Sequence, residues 1–133
     1  DGDDCVNGMV NGTPFVFSKR PGHNYTTKGF DTDALTLTWK DRVIFAAICR
    51  TFSVEGRLLI KSQEPLTFEW DGDTIRYYSA AKTEATIGVP SRPAEVTVNG
   101  REVQAFTFDA GQKAIIMTLP AGEGIIAIRL KAR

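Results

Sequence analysis

From Ala34 onward the apolar positions recur with period two. Leu35, Leu37 and Trp39 alternate with Thr36, Thr38 and Lys40, which predicts a strand with one buried face. Residues 42–50 follow with an unbroken apolar run, Val43 to Cys49. That run predicts burial on both faces or a close neighbouring layer, with residues 52–54 as its continuation. Glu55-Gly56 predicts a turn, and residues 57–62 a strand with Leu58 and Ile60 on one face. Gln63-Glu64-Pro65 predicts a break, after which Leu66, Phe68 and Trp70 point one way. Asp71-Gly72-Asp73 is a tight hairpin signal, with residues 74–80 as the returning strand. Further strands are expected over 84–89, 95–98, 101–108, 114–119 and 125–130. They are separated by a Pro90-Ser91-Arg92-Pro93 corner, an Asn99-Gly100 turn, a turn at 109–112 and a loop at 120–124.

This makes about nine short strands, one roughly every ten residues, and no sustained helical periodicity. The expected fold is all-β: an antiparallel β-sandwich, favoured over a closed barrel, forming a single domain over 1–133. Residues 1–33 read as a loop-rich N-terminal segment. Gly2, Gly8, Gly12, Gly22 and Gly29 punctuate it, and Phe15-Val16-Phe17 is its one short strand candidate. Residues 18–29 read as a polar loop with a basic tint, and loops on a rigid sheet often carry function.

The length, 133 residues, suits one domain. Lys+Arg and Asp+Glu both number 16, so the basic excess of a general nucleic-acid binder is missing. No apolar run approaches the ~20 residues of a membrane-spanning helix, so no membrane span is expected. The chain starts Asp1-Gly2-Asp3-Asp4, without a basic and apolar leader. A removed signal or a segment of a longer protein both fit, and the second is preferred. Cys5 and Cys49 with the single His23 make a poor zinc set. Cys49, in its apolar run, reads as a buried free thiol; a Cys5–Cys49 disulfide is the alternative in an exported protein. Asn11-Gly12-Thr13 and Asn24-Tyr25-Thr26 are glycosylation triplets that matter only in a eukaryotic secretory pathway.

Several stretches from Asp31 onward resemble a known accessory module. They are Thr32-Asp33-Ala34, Leu58-Leu59-Ile60-Lys61-Ser62 leading to Pro65, and Phe68-Glu69-Trp70-Asp71-Gly72. The most distinctive stretch is Ala94-Glu95-Val96-Thr97-Val98-Asn99-Gly100, with Val103 and Phe106-Thr107-Phe108-Asp109-Ala110, followed by Thr118-Leu119-Pro120-Ala121-Gly122. Together they resemble the β-sandwich domain that follows the catalytic domain in bacterial polysaccharide-degrading enzymes, among them heparinase-like lyases and several glycoside hydrolases. The resemblance implies a secreted, periplasmic or cell-surface setting. It also implies a polysaccharide or oligosaccharide as ligand and a catalytic domain in the parent chain as partner. Such a module usually has no catalytic residues of its own.

Sugars stack their C–H faces on exposed aromatic rings, with polar groups fixing the hydroxyls. Tyr77 and Tyr78 must face opposite sides of their strand. Tyr78 is in phase with Arg76 and out of phase with Ile75, so Tyr78 is the expected exposed ring, forming an aromatic platform with Trp39, and Arg76 is a further ligand-binding candidate. Trp39, at a strand end, and Tyr25, in the N-terminal loop, complete the aromatic candidates. Core packing is the competing reading of every ring. An acid–base alternative rests on Arg20, His23 and Tyr25, since a lyase needs a base and a cation near an uronate carboxylate. A Pro-Gly turn in solvent is the competing reading of that loop. No cofactor is expected. Asp71 and Asp73 flank a hairpin glycine and give a calcium alternative, although turn chemistry explains them.

Overall fold

The computed structural model describes residues 5–72 and 74–130. In chain order the strands are β1 (Cys5–Val10), β2 (Thr13–Ser18), β3 (Tyr25–Thr27), β4 (Phe30–Thr32), β5 (Thr36–Lys40), β6 (Val43–Val54) and β7 (Arg57–Trp70). Then come β8 (Thr74–Ser79), β9 (Thr83–Gly88), β10 (Pro93–Val98), β11 (Arg101–Glu102), β12 (Thr107–Asp109), β13 (Ala114–Leu119) and β14 (Gly122–Leu130). There is no helix among the described residues, and every strand pairing is antiparallel. The fold is the expected all-β, antiparallel, sandwich-like domain.

A long hairpin, β6 with β7, is shared by both layers. The first half of β6 pairs with β5 and with the second half of β7, through Ile44↔Trp70, Phe45↔Glu69 and Ala46↔Phe68. Its second half pairs with β4 and with the first half of β7. Residues 66–70 of β7 then pair with β8, whereas residues 60–62 pair with β9. One layer therefore runs β1-β2-β5-β6-β7-β8-β14-β10-β11, and the other β3-β4-β6-β7-β9-β13-β12.

The hairpin changes layer where its register shifts, between Ala46 and Thr51. Extra residues on one strand bend it, as in a β-bulge. Ile48 sits in this bend with φ 54°, a left-handed conformation that a β-branched residue rarely adopts. Opposite, Pro65 lies inside β7 and not in a break. Proline has no ladder N–H to give, and it falls where β7 leaves one layer for the other.

Aromatic rings join the layers. Phe52 meets Phe68 edge-on at 5.6 Å, and Phe30 meets Trp39 edge-on at 5.2 Å. Leu37, Ala46, Ile60, Ile87, Ile115, Leu119 and Ile126 fill the space around them.

Four expectations need correction. The run from Val43 to Cys49 is not buried on both faces: Ile44 and Ala46 point inward, while Val43, Phe45 and Ile48 are exposed. The N-terminal segment is not mainly loop, because β1 pairs β2 and β3 pairs β4. Residues 101–108 are two pieces, β11 in one layer and β12 in the other. The loop at 120–124 is shorter, since β14 begins at Gly122.

Candidate functional site

β8 shows the alternation that sets the site. Ile75, Tyr77 and Ser79 are buried, while Arg76 and Tyr78 face solvent. The phase of the sequence thus separates the two tyrosines as expected. Tyr77 is 3% exposed and its hydroxyl donates to the Pro120 carbonyl, whereas Tyr78 is 50% exposed. Burial raises the Tyr77 pKa above the ordinary phenol value.

Register builds a face around this pair. Phe45, Glu69, Arg76 and Ile125 stand in one row across β6, β7, β8 and β14. Thr67, Tyr78 and Glu123 form the next row across β7, β8 and β14. Side chains directly opposite one another lie roughly 5 Å apart at Cβ. Asn99, from the β10–β11 turn, closes one end. Its amide donates to the Ile125 carbonyl at 2.9 Å, and its Oδ1 accepts from the Ile125 amide at 3.0 Å. Its side-chain Nδ2 is then the group left for a ligand. These residues line an open groove of about 510 Å³. Thr67 also accepts the Ile48 amide through Oγ1, at 3.2 Å, tying the bend of β6 to this face.

The other candidates lie elsewhere. Trp39 is in register with Ile44 and is only partly exposed, packed on Phe30. It belongs to the inner face and makes no platform with Tyr78. Tyr25 is 6% exposed, and its hydroxyl donates to the Ala34 carbonyl at 2.6 Å. Burial, with Cys5, Cys49 and Asp33 nearby, holds its pKa well above the ordinary phenol range. A buried, committed hydroxyl is neither a stacking surface nor a ready base, which corrects both surface readings of Tyr25. Arg20 and His23 are exposed at the two ends of a turn, closed by the His23 amide donating to the Arg20 carbonyl at 3.1 Å. The three residues therefore form no convergent acid–base group.

Asp71 closes its hairpin by accepting from the Thr74 amide at 2.9 Å and the Thr74 hydroxyl at 3.3 Å. Asp73 lies outside the described residues, as do Asp1, Asp3 and Asp4. Among the described residues, no three His, Cys, Asp or Glu side chains are grouped so that they could hold a metal ion. Cys5 and Cys49 are both buried, and no disulfide joins them, which corrects the alternative of a Cys5–Cys49 bond.

Phe45, Thr67, Glu69, Asn99, Glu123 and Ile125 were not among the sequence candidates. The signal that finds them is cross-strand register, applied to the hairpins on either side of Tyr78. No protein-family model matches the sequence, and no curated protein matches it.

Proposed function

We propose that this chain is a non-catalytic β-sandwich module that binds polysaccharide or oligosaccharide through the groove around Tyr78, as an accessory part of a secreted carbohydrate-active enzyme. The observation that carries the reading is the exposed Tyr78 ring, set between Thr67 and Glu123 and beside Arg76. An aromatic face supplies the stacking surface for a pyranose ring, and the polar groups around it match the hydroxyls at its rim. The groove is open and lies on strands, so it suits a chain-like ligand and holds its side chains in fixed positions. The setting and the parent enzyme come from the sequence resemblance alone.

The same face also carries an apolar strip. Phe17 and Val6 are each 46% exposed and lie in register on the β2 and β1 side of the sheet, while Phe45 and Ile125 line the groove. That strip favours a second reading, in which this face packs against a catalytic domain of the parent chain. Affinity electrophoresis and calorimetry of the 133-residue chain against a glycan panel separate the two. Binding that Tyr78→Ala abolishes, with the melting temperature unchanged, supports the glycan reading. No binding to any glycan favours the packing reading.

A further inference from the structure

We infer that the groove around Tyr78 takes uncharged sugars and rejects uronates and sulfated sugars, an inference that rests on the glycan reading above. The charges lining the groove are two carboxylates, Glu69 and Glu123, and one guanidinium, Arg76. Their order across the sheet matters more than their sum. Glu69 stands directly opposite Arg76 on one side. On the other side Glu123 is opposite Tyr78, two residues along β8 from Arg76. Glu123 is therefore the diagonal neighbour of Arg76, within reach of a long side chain. The cation of the groove is flanked by two anions.

An anionic sugar needs a cation whose charge is not already balanced. Here it would meet Arg76 between two carboxylates and would bring its own charge close to Glu69 or Glu123. Like charges at such distances repel, most strongly at low ionic strength. A neutral sugar meets no such penalty. Its hydroxyls donate to the carboxylate oxygens of Glu69 and Glu123 and accept from Arg76 and from Asn99 Nδ2, while its C–H face stacks on Tyr78. Carboxylates are acceptors only, so this lining is matched to donors, and hydroxyls supply them where uronate or sulfate groups do not.

The test compares neutral β-glucan and galactomannan with polygalacturonate and heparan sulfate, at low and moderate salt, on the whole 133-residue chain. The expected result is binding to at least one neutral polymer and at least about tenfold weaker binding to the anionic ones. Replacing both acids, Glu69→Gln with Glu123→Gln, is expected to weaken the neutral ligand and to strengthen polygalacturonate binding about fivefold to tenfold at low salt. Both residues are exposed, and far-UV circular dichroism checks that the variant folds. Polygalacturonate or heparan sulfate binding as tight as the neutral polymers would overturn this inference and leave the glycan reading standing. No binding to any polymer would overturn the glycan reading and this inference with it.

Discussion

Gly124 lies under the ring of Tyr77, its direct cross-strand partner. A Cβ at Gly124 would stand 2.5 Å from Tyr77 Cε2. The ring cannot swing aside freely, because Tyr77 is buried and its hydroxyl reaches the Pro120 carbonyl. Glu123 and Ile125 flank this glycine and line the groove, so the close approach also fixes the floor of the candidate site. Gly124→Ala is expected to destabilise the protein by about 1–3 kcal/mol through overpacking. Thermal unfolding checks this, and an unchanged melting temperature would contradict the contact.

Asp33 does a different job at the bend of β6. Its Oδ1 accepts from the amides of Arg50 at 2.8 Å and Thr51 at 3.1 Å. These are the backbone donors of the register shift. Asp33 is 8% exposed, so the two amides would be left without their acceptor if it were truncated. Asp33→Ala is expected to cost about 2–4 kcal/mol, and Asp33→Asn, which keeps an acceptor oxygen, about 1 kcal/mol. Urea denaturation of the two variants orders them, and equal losses would place the effect in packing.

The sequence shows the parts of this fold that bury one face. Alternation separates Tyr77 from Tyr78, and Asn99-Gly100 marks its hairpin, with φ positive at both residues. Asn11-Gly12 has the same turn chemistry and the same signs of φ, yet its hairpin is hard to read. β1 is an edge strand whose apolar Val6, Met9 and Val10 are all exposed, so no burial pattern marks it. Gly8 reads as loop punctuation, but the Phe15 ring covers it. Phe45 is hidden for the opposite reason, an exposed ring inside an apolar run. The groove joins residues of β6, β7, β8 and β14, and only pairing register brings them together. The bend that passes the β6–β7 hairpin between layers leaves no signal except Pro65.

Ile48 carries strain that can be relieved. Its φ of 54° is left-handed, and such a conformation costs an L-residue roughly 1–2 kcal/mol. The side chain is 54% exposed, so little apolar burial is at stake. Asparagine tolerates this conformation and leaves the backbone amide to donate to Thr67 as before. Ile48→Asn is expected to raise stability by about 0.5–1 kcal/mol, read as a higher urea midpoint with the same slope. A loss of stability would mean that the exposed Ile48 side chain packs more tightly than its accessibility indicates.

Buried acids of high pKa give the protein a stability limit on the alkaline side. Cys49 is 2% exposed, and burial pushes its thiol from 9.0 up to about 12, opposed by its hydrogen bond with Thr32. The pKa of Tyr25 is raised too, by its burial first. A raised folded-state value means that the native protein keeps a proton which the unfolded chain has released. Below about pH 9 both states hold the thiol proton, and Cys49 contributes its full stability. Between about pH 9 and 12 the unfolded state binds fewer protons, so stability falls as pH rises, by about 1.4 kcal/mol per unit for one such group. Tyr25 adds to the fall above its unfolded value of 10.0. Urea midpoints measured at pH 8, 9 and 10 are expected to decline after pH 9, and Cys49→Ala to flatten the decline between 9 and 10. The same burial predicts that a thiol reagent labels Cys49 only on unfolding. Labelling of native Cys49 at the rate of a free thiol would place it at the surface, and the alkaline loss of stability would then need another source.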